Sequence, residues 1–511
     1  MPAPGTGVTI DGLMQILNAH SVAQTTEHLN SKALLYLLIA GGLVFEAGLL
    51  LLIMLGNLTQ QAGWYLAVYA ALFLVFGLVC AWVFKRNKLA KLSGSETRVG
   101  LLIILFFAAL FRVTVIFVAP TLSTDQFRYT WEGRLITLGF SPYRYAPNDP
   151  TLLPFRDDFW PLVQQKETAS PYPPLAQLTA VSEYALSGES LLAPKIAAVL
   201  FDLLDCAALV WLLGLLKKER WRVILYAWCP LPIIEFGLSG HNDAPMLFFL
   251  LLAVGLSLQR KPGLAAITLG LACLAKFTPL FVLPLFLVGW QAARQAQSIP
   301  KGKNITWGWR SVLNWRIVIY PLLTLLVVIV GYAPLLILGQ GAIGSILEYT
   351  GNWHDNEALL FSFLNNLAGA GIAKLLTIAI LGASVMLLSF HPVLSQAFSL
   401  PRRMMLILGL TLLVASTVHP WYVTWIVILL PLVLGEQFGA GFSFKWWDVA
   451  WLLYSALGQL PYLTYAGDGS AYIWASPLEF LPLYVAAGWT LWRWQVSQRL
   501  AIKGTGSPKL L

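Results

Sequence analysis

Charge is scarce in this 511-residue chain: Asp, Glu, Lys and Arg make up 11% of it, against 58% hydrophobic residues. A soluble domain carries about a quarter charged residues, so the repeated apolar runs here exceed any soluble core. The chain reads as a polytopic membrane protein, and as all-α, because helices satisfy their own backbone groups in hydrocarbon. Cysteine is equally sparse. Cys80, Cys206, Cys229 and Cys273 lie inside apolar runs without a CxxC pair, which argues against a disulfide framework and against a zinc site. GxxxxGK[ST] does not occur, and the longest connection expected on the cytoplasmic side, 292–315, is too small for a Rossmann-type nucleotide-binding unit. Internal repeats, low-complexity tracts and a separate soluble domain are also missing. The first apolar run, 33–55, is longer than a signal-peptide core and follows about thirty polar residues without a basic start, so it is expected to be retained.

The net charge of +9 does not imply nucleic acid, because the basic residues fall in short loops between apolar runs, as the positive-inside rule requires. Apolar runs of about twenty residues suggest about fourteen spans, near 33–56, 63–84, 99–119, 190–216, 221–238, 243–258, 263–276, 278–291, 316–338, 372–390, 403–418, 421–437, 446–464 and 478–496. With both termini in the cytoplasm, Lys85-Arg86, Lys217-Lys218, Arg260-Lys261, Arg294 to Arg316, Arg402-Arg403 and Arg499/Lys503 share one side. Asp125, Tyr172, His241, Trp353, His419 and 465–477 then share the other, extracytoplasmic one. Three regions follow: 1–98, with a cytoplasmic segment and two helices; 99–435, a membrane module with an extracytoplasmic loop at 120–190; and 436–511, a helical hairpin with a basic cytoplasmic tail.

The polar loop opens with Ser123-Thr-Asp125-Gln-Phe-Arg128-Tyr129-Thr-Trp131-Glu132-Gly133. On a helix, Asp125, Arg128, Tyr129 and Glu132 form one stripe by the i, i+3, i+4, i+7 rule. Capping of a short helix by Ser123, Thr124 or Asp125 would explain the acid equally well. The following Ser141-Pro-Tyr143-Arg144-Tyr145 adds rings and a cation suited to sugar and phosphate. Ser170-Pro-Tyr172-Pro173-Pro174 predicts a rigid turn and a helix start at Pro174, with an interfacial helix to about Leu186. Gly240-His241-Asn242-Asp243 offers three polar side chains where a cap alone would need one. Lys276 lies at membrane depth, which costs about 2.5–3.5 kcal/mol unless the cation is paired or lines a cavity; snorkelling is the alternative. His419-Pro-Trp421-Tyr422 could be an interfacial belt, with His419 in excess of it. Trp353 and Asn356 could bond sugar hydroxyls or belong to a solvated loop. Asp202 and Asp205, with Glu46 and Glu235, are intramembrane acids that suit structural hydrogen bonding or an ion path.

Taken in order, Asp125-Gln-Phe-Arg-Tyr-Thr-Trp-Glu-Gly, Ser141-Pro-Tyr143, Tyr172-Pro-Pro-Leu, Gly240-His-Asn-Asp243, Lys276-Phe-Thr-Pro and His419-Pro-Trp-Tyr422 resemble the polyprenyl-phosphate-sugar-dependent glycosyltransferases of the GT-C fold, in particular bacterial mannosyltransferases. The likeness spans about 99–435. It implies a multi-pass plasma-membrane enzyme with an extracytoplasmic active site. Such an enzyme transfers a hexose, mannose foremost, from a polyprenyl-phosphate donor to a lipid or glycan acceptor. The implied mechanism inverts the anomeric centre without cofactor or metal, with Asp125 as general base. Donor phosphate would be held by Lys276, Arg128, Arg144 and His241. Sugar and acceptor would be held by Tyr129, Glu132, Tyr143, Tyr172, Asn242, Asp243, Trp353, Asn356, His419, Trp421 and Tyr422. A lipid-linked-sugar transporter or flippase, and an oligosaccharide ligase or polymerase, are the alternatives.

Overall fold

The computed structural model describes residues 10–87, 94–287, 315–338, 356–391, 394, 398–438, 442–466 and 472–505. The described chain is overwhelmingly helical, with one two-residue antiparallel ribbon pairing Gln437–Phe438 with Phe442–Ser443. Its longer helices, numbered in chain order, begin with α1 (Ile10–Met54), α2 (Ala62–Asn87) and α3 (Gly94–Val115). The polar loop contributes α4 (Asp125–Thr137) and α5 (Pro174–Ser187). Then follow α6 (Leu192–Leu215), α7 (Ala244–Leu258), α8 (Pro262–Ala275), α9 (Trp315–Leu338), α10 (Leu359–Ala368), α11 (Ala370–Phe390), α12 (Leu400–Val414), α13 (Lys445–Leu457) and α14 (Tyr472–Thr505).

Among the described residues, five helices are long and apolar enough to cross a membrane: Lys32–Met54 within α1, Ala62–Lys85 within α2, Ser95–Val115 within α3, α6 and α11. Two of the spans expected from hydropathy are broken instead of continuous. The run near 221–238 divides into Arg220–Val223, Ile224–Ala227, Pro230–Pro232 and a π-helical turn at Ile233–Leu238. The run near 421–437 divides into Pro420–Val423, Thr424–Val427 and Leu430–Val433. Pro230, Pro232, Pro420 and Pro431 each lack an amide hydrogen, and hydropathy does not register that interruption. Both broken segments are buried throughout almost their whole length, which is where irregular backbone at membrane depth is tolerated.

Polar ties through the apolar interior fix the helix order. Arg112 of α3 grips Asp202 of α6 with Nε at 2.6 Å and Nη2 at 3.2 Å, and spends Nη1 on the carbonyls of Ala108 and Ala227. Tyr226 donates to the same carboxylate at 2.7 Å. Asp202 is therefore a structural partner, and Glu46 likewise accepts from Thr114. In the C-terminal half Arg402, fully buried, holds Asp448 at 2.5 and 2.9 Å and Glu436 at 3.3 Å.

The polar loop is compact, with a small apolar core of its own made of Trp131, Leu135, Leu152 and Val163. As the proline pair predicts, α5 starts at Pro174, and Gly188 follows it with φ of 62°. α4 lies against α5 at Gly133, where any Cβ would strike the Ala180 carbonyl. Glycine is thus required by the close approach, and this contact anchors the helix that carries Asp125.

Candidate active site

Asp125 occupies the first turn of α4 and makes no cap bond. Ser123 Oγ accepts its backbone N–H at 3.3 Å. The carboxylate faces the Gly240-His241-Asn242-Asp243 turn: Oδ2 is 3.4 Å from the Tyr129 hydroxyl and 3.9 Å from His241 Nε2, and the side chain keeps 26% of its surface open. Capping therefore does not explain this acid. Burial, then the neighbouring Tyr172, Asp125 and Asp243, hold the Tyr129 phenol well above its ordinary value. It stays protonated and donates to Asp125. Tyr172 packs edge-on against Tyr129 at 5.1 Å between ring centres. Tyr143, one turn of loop away, donates its hydroxyl to the Tyr172 carbonyl at 2.6 Å and so holds that strand of loop in place.

The His241 turn is built by two backbone irregularities. The π turn at 233–238 ends with Ser239 N–H on the Ile234 carbonyl and His241 N–H on the Glu235 carbonyl, at 2.8 and 2.9 Å. Gly240 then takes φ of 68°, and a Cβ there would overlap the Gln126 amide next to Asp125. Glycine thus permits both the turn and the contact with α4. His241 is fully buried, stacked on Trp421 at 3.7 Å, and Trp421 stacks in turn on His419 at 4.4 Å. Tyr422 meets His419 edge-on at 5.2 Å. These rings form the buried wall of the site and not an exposed belt.

Asp243 precedes α7 but does not cap it. Its Oδ2 takes Lys276 Nζ at 2.6 Å and its Oδ1 takes the Trp425 indole N–H at 2.7 Å. Lys276, at the end of α8, lies over the rings of Tyr422 and Trp425 at 4.9 and 5.8 Å and keeps 17% of its side chain open. It is paired at the site and does not snorkel away. Asn242, half-buried, lines a small cleft beside Tyr129, Pro245 and Glu183 of α5. Burial pushes the Glu183 carboxyl up to about 7.

The stripe 125, 128, 129, 132 divides. Arg128 gives Nε to Glu132 at 2.5 Å and its remaining donors to the carbonyls of Gln164, Gln165 and Thr168. Glu132, 2% exposed, also accepts from Ser170 at 2.7 Å and Gln177 at 2.5 Å. This pair clamps the loop, with every guanidinium nitrogen engaged. Arg144 is exposed, lies over Tyr145 at 5.3 Å and influences Asp149, away from the cluster. Asn356 ties its own segment to the Val418 carbonyl, Glu479 and Ser476 at 3.0, 3.0 and 2.6 Å. Trp353 lies outside the described residues.

Sequence reasoning missed four participants: Ser123, 3.1 Å from His241 Nε2; Trp425, the second partner of Asp243; Glu235 as a partner of His241; and Lys195, which reaches the Val118 carbonyl beside the Gly240 turn. Glu235 alone had a sequence signal, an acid inside an apolar run six residues before a histidine.

The combined geometry offers one partly open carboxylate, a protonated phenol and a paired cation around a wall of stacked rings. The family described as alpha-(1->6)-mannopyranosyltransferase, N-terminal domain, matches residues 33–294. This stretch contains Asp125, Tyr129, Tyr172, His241, Asp243 and Lys276. No curated protein matches the chain.

Proposed function

The chain belongs to the alpha-(1->6)-mannopyranosyltransferase family, and we propose that it transfers mannose from a polyprenyl-phosphate donor to a hydroxyl of a glycan or lipid acceptor. The family makes it a membrane glycosyltransferase; donor, acceptor, sidedness and residue roles are the proposal. A sugar on prenyl phosphate is already activated, so no nucleotide-binding unit is needed. Inversion that ends in an α linkage starts from a β-configured donor.

Asp125 is the general base. The observation that carries this role is the contrast between the two acids of the site. Asp243 is fully buried with both oxygens bonded, whereas Asp125 is partly open and shares only the long Tyr129 bond and the His241 contact. General-base assistance contributes roughly 10²–10⁴ in rate. Lys276 faces the departing phosphate, where a fixed cation stabilises charge as it grows; Asp243 and Trp425 aim it. Tyr172, Trp421, Tyr422 and His419 provide ring surface for the sugar, and Asn242 provides a hydrogen-bonding edge for the acceptor. Charge on the phosphate is met by Lys276, so the scheme calls for no metal.

The site lies on the extracytoplasmic side with both termini in the cytoplasm, because that arrangement puts the basic loops on one face. The fourteen-span count and the three-region division belong to the same proposal.

The test is incubation of the purified protein with synthetic polyprenyl-phosphate mannose, glucose and arabinose and a short α-(1→6)-linked mannoside, followed by mass spectrometry and linkage analysis. A mannosylated product with an α linkage is expected from the mannose donor. Transfer from another sugar alone, or a β-linked product, would overturn the proposal.

A further inference from the structure

Behind the imidazole that faces Asp125 stands a second acid. We propose that Glu235 and His241 form a dyad that relieves Asp125 of the acceptor's proton, with Glu235 the positioning residue. The proposal rests on the transfer reaction above and gives His241 a different task from holding phosphate.

The π turn brings Glu235 back under its own histidine: the His241 N–H bonds the Glu235 carbonyl at 2.9 Å, and the ring Nδ1 lies 3.0 Å from Glu235 Oε2. A π turn inside helical backbone often marks a functional site. Glu235 is fully buried and is fixed by the Gln459 amide at 2.6 Å and the Tyr462 hydroxyl at 3.1 Å, with Tyr65 donating to Gln459. Trp421 covers one ring face. The Nε2 edge therefore points to the reacting side, 3.1 Å from Ser123 Oγ and 3.9 Å from Asp125 Oδ2.

Glu235 Oε2 lies 3.0 Å from Nδ1 without the alignment of a hydrogen bond; its charge favours a proton on Nδ1 and turns the Nε2 lone pair, shared with Ser123 Oγ, to the reacting side. A phosphate would be a poor occupant of this edge, since the ring already lies between two carboxylates. The charged and titratable groups around it are Asp125 from α4, Glu235 from the π turn, the Asp243–Lys276 pair two residues on, His419 across Trp421, and Lys195 beside Gly240.

The step balances. The acceptor oxygen bonds the anomeric carbon as the bond from that carbon to the phosphate oxygen breaks, and that electron pair leaves with the phosphate. The acceptor proton goes to Asp125 Oδ2 and passes to His241 Nε2, 3.9 Å from it. The imidazolium formed is flanked by two carboxylates and returns its proton to water as the phosphate departs.

Glu235→Gln, His241→Gln and the double variant are measured with polyprenyl-phosphate mannose and the α-(1→6)-linked mannoside, with Asp125→Asn alongside. Gln at 235 preserves the shape that Gln459 and Tyr462 contact. The expected result for Glu235→Gln is a kcat at least tenfold lower with donor KM unchanged. The double variant should be no slower than His241→Gln alone, since Glu235 acts only through the ring. Full kcat in His241→Gln, additive losses in the double variant, or a raised donor KM with kcat unchanged in Glu235→Gln would overturn the dyad. Transfer retained in Asp125→Asn would overturn the base assignment itself, so the two failures are distinguishable.

Discussion

Asp125 and Tyr129 lie on the same stripe of α4 as Arg128 and Glu132, yet the two pairs are spent differently. Arg128 and Glu132 are closed in on each other and on the loop at 164–177, with every guanidinium nitrogen and both carboxylate oxygens bonded. Asp125 and Tyr129 meet His241 and Tyr172 at longer range, and the carboxylate stays 26% open. One helix thus carries a clamp and a working edge a turn apart. The clamp fixes where α4 sits, and the edge inherits that precision without sacrificing a free lone pair.

Substitutions should separate the two halves. The largest expected effect is on the clamp: Glu132→Ala leaves Arg128 buried without its partner, a loss of roughly 3–5 kcal/mol for a buried pair. The thermal midpoint in detergent and transfer activity should fall together. A stable Glu132→Ala protein would show that the clamp is not needed to hold the loop.

Lys276→Ala comes next, with donor binding in nanodiscs weakened about tenfold, the equivalent of one charge-assisted hydrogen bond. Acceptor KM should stay put. Equal donor affinity would remove Lys276 from the phosphate site.

Glu183, in the cleft beside Tyr129, gives a smaller, pH-dependent effect. Burial raises its carboxyl from 4.5 to about 7 in the folded protein. Between those values the folded state holds a proton that the unfolded chain has released, so stability falls as pH rises from about 4.5 to 7 and levels off above that. Glu183→Gln should flatten this part of a thermal-midpoint profile, and an unchanged slope would refute the burial argument. Smallest of all is Arg144→Ala. This exposed side chain is remote from the cluster, and turnover should stay within twofold of the parent.

How far these roles could be read from the sequence depended on whether partners were local. The stripe of α4, the helix start at Pro174 and the gathering of the Asp125, His241, Lys276 and His419 motifs all follow from periodicity, proline chemistry and loop placement. The division of the stripe does not, because Arg128 binds backbone carbonyls 36 to 40 residues away and no side-chain pattern encodes a carbonyl. Capping explained Asp125 and Asp243 equally well on sequence grounds, until Trp425 and Lys276 proved to hold Asp243 and His241 to face Asp125. The broken segments at 220–238 and 420–433 looked like ordinary spans because apolar content masks prolines. Asp202 could have been an ion-path acid; its partner Arg112 is 90 residues earlier.

The most direct measurement is single-turnover transfer by purified Asp125→Asn in nanodiscs loaded with polyprenyl-phosphate mannose, with donor affinity and thermal midpoint read on the same preparation. The account predicts unchanged binding and midpoint with a rate at least about a hundredfold lower, the lower bound for loss of a general base. A rate within tenfold of the parent, with the donor bound, would contradict it.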